Sequence, residues 1–309
     1  MNYLEYLIKN HPVRNSENEK KAFSDFVLKE AEKNSLPAKV EPLQKGKHKN
    51  IVVGNPEKAK AVFCAHYDTP FRALFPNLML PRNKFLFYLY QFLPVSIILI
   101  CSYLPAEIIA GKHFTGDNYI IAFEIIFLLL YFSLFYLLYF SFKNKNNFND
   151  NTSGCAVLLS LMEKLSDEEK ENAAFIFFDN EEKGKLGSKA YFKEHKNYME
   201  DKLIINFDCV GNGNNILLIA SDKAESCEEY KAIRDKFISN ENYSVSFFGA
   251  KGSECNSDHK NFPKSVAVVA CKNTKNGIFY TPKIHTSKDT EVKEENISFI
   301  CENILNFLK

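Results

Sequence analysis

Two long stretches nearly free of charge constrain this chain before anything else does. Residues 85–106 read FLFYLYQFLPVSIILICSYLPA, and residues 119–142 read YIIAFEIIFLLLYFSLFYLLYFSF, interrupted only by Glu124. A helix needs about 20 apolar residues to cross a hydrocarbon core, so each run is long enough. The connection at 107–118 is short and holds Gly111 and Gly116. Residues 85–142 therefore predict a transmembrane helical hairpin. The competing reading is a pair of buried core helices or a greasy lid, and such helices seldom stay this free of charge at this length. Pro94 is tolerable in a membrane helix, where neighbours satisfy the freed carbonyl. Glu124 reads as an interfacial carboxylate, the commoner place for an acid near a bilayer.

The flanks predict an orientation. Arg72, Arg82, Lys84, Lys143 and Lys145 border the hairpin on the side of the remaining chain, against Lys112 alone in the far loop. The bias of Lys and Arg toward the cytoplasmic side places both chain ends in the cytoplasm, as an integral protein of the cell membrane. Residues 1–10 show no long apolar core of a secretory leader, which fits that expectation. So do the eight cysteines, which are scattered with no Cys-x-x-Cys pair. They predict free thiols in a reducing compartment, with neither a disulfide framework nor a cysteine-ligated zinc site. The formal net charge is +1 with no basic block, which argues against a nucleic-acid partner. The densest basic run, at 45–49, reads as a solvated loop.

Outside the hairpin, short apolar runs alternate with amphipathic stretches. Strands are expected at 50–53, 59–65, 173–178, 203–207, 215–220, 243–248 and 266–270. Helices are expected at 16–33, 152–165, 185–195, 223–239 and 290–308. Ser16 followed by Glu19 has the spacing of a capping box. Runs such as AAFIFF are apolar throughout and call for burial on both faces. The expected architecture is a three-layer α/β/α fold with a mixed, mostly parallel sheet. This layered domain is expected to be discontinuous, over 1–84 and 143–309, with 85–142 as the inserted hairpin.

Polar residues gather where the expected strands end. One strand leads into His66 and Asp68, another into Glu181 and Glu182, and a third into Asp208. Sites in open α/β sheets form outside the carboxyl ends of strands. Asp150 stands just before an expected helix start, where a carboxylate is favoured. His285 precedes the last helix. Each item alone is weak, since His-x-Asp is commonly a surface pair and Glu-Glu a solvated face. Together His66, Asp150, Glu182, Asp208 and His285 suit two divalent zinc ions, with other divalent metals possible, and an open position for water.

The ordered set AHYDT, NDNTSG, FFDNEEKGKLGSKAY, INFDCVG, SDHKNF and IHTSKDT resembles the zinc peptidase family that includes bacterial two-zinc aminopeptidases, glutamate carboxypeptidase and animal glutaminyl cyclases. The resemblance runs over residues 16–309 apart from the hairpin. It implies that His66 and Asp208 bind one metal, Glu182 and His285 the other, and that Asp150 bridges them across a cis peptide to Asn151. It further implies Glu181 as general base and Asp68 as the group orienting His66. Asp258 and His259 match a motif that usually lines the pocket and read as structural or substrate-side residues, not ligands, and Asp289 reads as a support for the final loop. Some relatives carry a tyrosine oxyanion donor where Ile284 stands, with Tyr280 the nearby substitute. His11, His48, His113 and His195 read as surface residues.

The expected function is a membrane-tethered zinc metallo-aminopeptidase whose partners are the lipid bilayer and peptides, hydrophobic or membrane-associated ones included. The alternatives are a catalytically silent membrane scaffold of the same fold and a one-zinc, glutaminyl-cyclase-like acyltransferase. A silent relative typically loses ligands and none is missing, while an acyltransferase needs only Asp150, Glu182 and His285.

Overall fold

In the computed structural model, which describes residues 1–75 and 77–309, the apolar runs become the centre of a ten-stranded sheet. The strands are β1 (Ala38–Leu43), β2 (His48–Val53), β3 (Ala61–His66), β4 (Leu78–Met79), β5 (Ala173–Phe178), β6 (Leu203–Phe207), β7 (Asn215–Ala220), β8 (Ser244–Gly249), β9 (Ser265–Asn273) and β10 (Phe279–Pro282). The helices are α1 (Tyr3–Asn10), α2 (Glu17–Lys33), α3 (Lys84–His113), α4 (Asp117–Tyr139), α5 (Gly154–Lys164), α6 (Asp167–Asn172), α7 (Leu186–Glu194), α8 (Lys196–Met199), α9 (Asp222–Glu225), α10 (Glu228–Lys236) and α11 (Glu294–Leu308).

The middle of the sheet, β5-β3-β6-β9, is parallel. Antiparallel pairs close it on both sides, β2 and β1 beyond β5, and β7 and β10 against β9. Every residue of β3, β5 and β6 is buried, because helices cover both faces. Phe63, Phe175 and Phe207 point into the larger core, against Phe23, Val27, Leu158 and Ile300. Their neighbours Val62, Ile176 and Ile204 point the other way, onto Tyr191 and Met199. This is the expected three-layer α/β fold with its mixed sheet.

Several details differ from the sequence reading. α2 starts on the expected capping box, with Ser16 and Glu19 bonding reciprocally. The helix expected at 223–239 is broken in two at Ser226–Cys227, and that expected at 290–308 begins only at Glu294. The basic run at 45–49 is not simply a loop, because its last two residues enter β2 and His48 is buried against Asn180. β1, β4, β10 and α1 were not expected at all.

α3 and α4 pack on each other as a hairpin that projects from the layered body. On α3 the buried positions are Pro94, Ile98, Ser102, Ala106 and Ala110, one every four residues, a row of mostly small side chains that permits close helix approach. α4 has no buried residue. Among the described residues, Met1, Leu74 and Ile238 are the only exposed large hydrophobics outside 85–142, so the apolar surface is concentrated on the hairpin. Both helices are long and apolar enough to cross a membrane. All eight cysteines are free.

One buried ion pair links the helical layer to the strand ends. Lys20 of α2 reaches Asp179 Oδ1 at 2.5 Å and Asn180 Oδ1 at 2.9 Å. The other Asp179 oxygen accepts the Lys49 backbone N–H at 3.0 Å. Breaking one partner of such a pair strands a buried charge, at a cost of about 3–5 kcal/mol. Lys20→Met should lose about that much unfolding free energy in urea titrations of the detergent-solubilised protein. Adding Asp179→Leu should recover much of the loss, and a single variant as stable as wild type would refute the argument.

Candidate metal centre

Because β5, β3 and β6 lie side by side and parallel, their carboxyl ends deliver Glu181 and Glu182, His66, and Asp208 to one place. Asp150 arrives from a kinked turn, Phe148–Ser153, in which it and Asn151 depart from helical geometry before the chain runs into α5. Its peptide bond to Asn151 is cis. Gly154 begins α5 where a Cβ would sit 2.5 Å from the Phe207 carbonyl, so a side chain there would push the turn off the end of β6. His285 comes from the loop after β10.

The two oxygens of Asp150 face different partners. Oδ1 lies 3.3 Å from His66 Nε2, which is itself 3.8 Å from Asp208 Oδ1. Oδ2 lies 2.9 Å from His285 Nε2, which is 3.4 Å from Glu182 Oε2. Two trios result, His66–Asp150–Asp208 and Asp150–Glu182–His285, each with its donor atoms within 4.8 Å of one another. A third grouping brings Glu181 within the same distance of His66 and Glu182.

The surroundings fix these side chains. Asp289 accepts the backbone N–H groups of Asn149 and Asp150 at 3.2 and 3.0 Å, so it supports the Asp150 turn as well as its own loop. Asp68 accepts the N–H groups of Glu181 and Glu182 on its two oxygens, at 3.0 and 3.2 Å. Its backbone carbonyl lies 3.1 Å from His66 Nδ1, closer than its carboxylate at 3.6 Å. Asp68 thus ties the end of β3 to the Glu181–Glu182 turn. Arg14, fully buried, donates to the Tyr67 carbonyl at 2.5 Å and to Thr152 Oγ1 at 3.1 Å, joining the loop after His66 to the turn after Asp150. Nothing in the local sequence around Arg14 signals that bridge.

Negative charge is in excess here, and the titration of the groups shows it. Burial, reinforced by neighbouring carboxylates, pushes Glu182 up to about 8 and Glu181 well above the usual carboxylate range. Burial alone would lower His285, but Glu182 and Asp150 outweigh it and hold the imidazole at about 10. His66 is likewise raised, the nearby carboxylates of Asp150, Asp208 and Asp68 overcoming desolvation. Glu182 Oε1 and Asp208 Oδ1 are buried without a hydrogen-bond partner. Buried acceptors of this kind are costly when unpaired. Oxygen and imidazole donors at these separations suit divalent cations, whose charge would satisfy the orphaned oxygens and reverse the shifts. The residues present fit two such ions.

Other expected residues fall outside the cleft. Asp258 Oδ1 accepts the Ser188 hydroxyl at 2.5 Å and Asp258 is fully buried, while burial drops the His259 imidazole to about 3. Neither lines the cleft, which is instead bordered from that segment by Glu254 and Asn256. Ile284 lines it as well, whereas Tyr280 lines a separate apolar groove beside α3. His48 is buried, so its surface reading is corrected, while His195 stays partly exposed and pairs with Glu41 at 2.5 Å.

The fold and donor set define a class, an α/β protein with a carboxylate- and imidazole-lined candidate site for divalent cations. Comparison with known families matches residues 141–307, more than half the chain, to peptidase family M28, and the chain belongs to that family. Among solved structures, glutaminyl cyclase of Porphyromonas gingivalis is similar at 13% identity and a TM-score of 0.58, over 99% of this chain and 95% of that one. A Zn-dependent exopeptidase from Parabacteroides distasonis follows at 14% identity and 0.54, over 99% and 95%. The LapA aminopeptidase of Legionella pneumophila gives 13% and 0.54, over 99% of this chain and 69% of that one. Identities this low speak to the fold. No curated protein matches the chain.

A ligand that binds only the folded protein raises its stability by mass action, about 2.7 kcal/mol at a hundredfold excess over Kd. Zinc added back to chelator-stripped protein should therefore raise its Tm, and Asp150→Asn should abolish most of the rise. An equal rise in the variant would show that Asp150 is not shared between two ions.

Proposed function

We propose that this chain is a membrane-tethered two-zinc metallopeptidase that acts as an aminopeptidase on peptides. The observation that carries the reading is the division of Asp150, one oxygen toward His66 and Asp208 and the other toward His285 and Glu182. A one-metal acyltransferase would leave the His66–Asp208 half without use. Family membership supports a peptidase, and the zinc dependence of the Parabacteroides distasonis exopeptidase supports zinc.

When bound, zinc would supply Lewis acidity, polarising the scissile carbonyl and making water easier to deprotonate. The residues do the rest. Glu181 stands beside Glu182 with its backbone held by Asp68, free to take a proton from the attacking water and pass it to the leaving amine. Glu182 and His285 would hold one ion, His66 and Asp208 the other. Asp68, through its carbonyl, keeps His66 Nε2 directed at the centre.

In the same reading residues 1–84 and 143–309 form the catalytic domain, and 85–142 a hairpin inserted in the bilayer. The cationic flank supports a cytoplasmic catalytic domain. Lys143 pairs with Glu19 at 2.9 Å, and the Arg72 guanidinium lies 4.8 Å from the Phe142 ring centroid. Both sit at the foot of the hairpin.

Two experiments test this. Glu181→Gln should lower kcat by roughly 10²–10⁴-fold while zinc content stays near that of wild type, as expected for a base that is not a ligand. Loss of metal together with activity would reassign Glu181 as a ligand. For topology, His113→Cys, in the far loop, should react with a membrane-impermeant thiol reagent on intact cells. Ile238→Cys, strongly exposed on the body, should react only after lysis. The reverse pattern overturns the orientation.

A further inference from the structure

The roots of the apolar hairpin do not stand apart from the candidate site. The cleft of about 310 Å³ that holds Asp150, Glu181, Glu182, Asp208 and His285 is walled on its far side by Phe87 and Gln91. These are one turn apart on α3, and so lie on one face of its first turns. Gln91 Nε2 donates to Asn77 Oδ1 at 3.2 Å, and the Asn77 carbonyl accepts the Lys283 N–H at 3.0 Å, two residues before His285.

A second chamber of about 300 Å³ lies beyond Glu182 and His285 and touches both. Its walls are mostly apolar, from Pro70, Phe71 and Ala73 with Tyr139 and Phe140, where α4 leaves the hairpin, while Asn15, Asp68 and Thr69 add polar atoms. The segment between is stitched to both parts. Leu74 N–H donates to Leu138 O at 3.0 Å, Arg72 N–H to Phe142 O at 2.7 Å, and Ala73 N–H to His285 O at 2.7 Å. One root thus faces the polar cleft and the other builds an apolar chamber, with the Glu182–His285 pair between them.

We propose that the hairpin roots are specificity-determining, with Phe87 and Phe140 forming substrate walls that select peptides bearing a bulky apolar residue beside the scissile bond. The inference rests on the peptidase reading above. Lys20, the cation set deepest in the second chamber, is already committed to Asp179, and Lys183 stands exposed at the rim. A charged side chain entering would lose hydration against proline and aromatic walls, whereas an apolar one gains contact area. A chamber near 300 Å³ is at the small end of ligand sites, suited to one side chain rather than to a folded segment. The hairpin is then part of the substrate site as well as an anchor.

The test uses the full-length, zinc-loaded protein in detergent and a panel of phenylalanyl, leucyl, alanyl, glutamyl and lysyl anilides. Wild type should favour the phenylalanyl and leucyl substrates over alanyl by about tenfold or more in kcat/KM, since apolar pockets discriminate about 10–200-fold per methylene at best. Phe87→Ala and Phe140→Ala should each shrink that preference about fivefold, mainly through KM, with zinc content unchanged. Phe132→Ala, exposed in mid-hairpin, should leave it unchanged. The conservative Phe140→Leu should keep most of the preference, which separates the loss of an apolar wall from misfolding. A wild-type preference for glutamyl or lysyl substrates overturns the proposal. So do root variants that slow every substrate equally, or that leave the preference intact. A zinc-loaded wild type that cleaves none of the panel overturns the aminopeptidase reading itself, and this inference with it.

Discussion

One carboxylate standing between two imidazoles sets the terms for everything around it. Asp150 is almost wholly buried, and each of its oxygens already has a histidine nitrogen within 3.3 Å. Such a group stays in place only if its backbone is held independently of its side-chain partners, and here three elements do that. Asp289 takes the N–H groups of the turn, and Arg14 grips the residues just after it. Asn151 donates its amide to the Phe207 carbonyl at 2.9 Å, fastening the turn to the end of β6. The carboxylates gathered nearby raise one another's affinity for protons, so the protein alone leaves the centre electrostatically unbalanced. Stable buried charge needs a partner, and the geometry reserves the space for a positive one.

The sheet makes that concentration possible at little structural cost. A parallel run places all strand ends of one sense along a single edge, so β5, β3 and β6 need only one polar residue or pair each to assemble a multidentate site. The strands themselves can remain almost wholly apolar, with Asn206 the one polar residue inside them before the functional ends. Asp68 and Lys20 then couple chemistry to scaffold. The first clamps the Glu181–Glu182 turn to the β3 end, and the second anchors the residue where that turn begins. Both therefore bear on the positions of Glu181 and Glu182 together, which an ordinary surface charge would not.

How far the sequence could be read follows from the range of the forces involved. The central strands were legible because double-sided burial imposes mostly apolar runs, as in AAFIFF and, with one buried Asn206, LIINF. Strand β1 was not, because AKVEPL lies half exposed at the edge, carries Pro42, and owes its conformation to pairing with β2. The two residues of β4 have no local signature, and their strand character comes from β10, some 200 residues away in sequence. The break at Ser226–Cys227 was hidden because the helical pattern continues across it. Around the centre, the types and order of His66, Asp150, Glu181, Glu182, Asp208 and His285 were visible as polar residues closing apolar runs. Arg14 and the Asp289 link to Asp150 were not visible, because each acts through hydrogen bonds to distant parts of the chain, Arg14 to the Tyr67 carbonyl and the Thr152 hydroxyl and Asp289 to the Asp150 N–H. The burial of His48 was missed for the related reason that its partner, Asn180, belongs to a distant turn.

The position of the hairpin in the chain carries the last step. It is inserted between β3, which ends in His66 and Asp68, and the turn that presents Asp150, so both ends of the insert must return to the catalytic edge of the sheet. An insert at a hairpin turn on the opposite edge would have been silent toward the site. Placed here, its roots are forced into the layer of loops that any substrate meets, and Phe87, Gln91, Tyr139 and Phe140 line the two chambers as a consequence of connectivity. Helices that are apolar all around need a nonaqueous surrounding along their length, yet their first and last turns must adapt to the polar body. The structure makes that transition with side-chain amides and backbone hydrogen bonds, Gln91 to Asn77 on one root and Leu138 and Phe142 to the Arg72–Leu74 segment on the other. The same contacts that fasten the hairpin to the body reach the backbone of His285. Hairpin and candidate-site wall are therefore one piece of covalent and hydrogen-bonded structure.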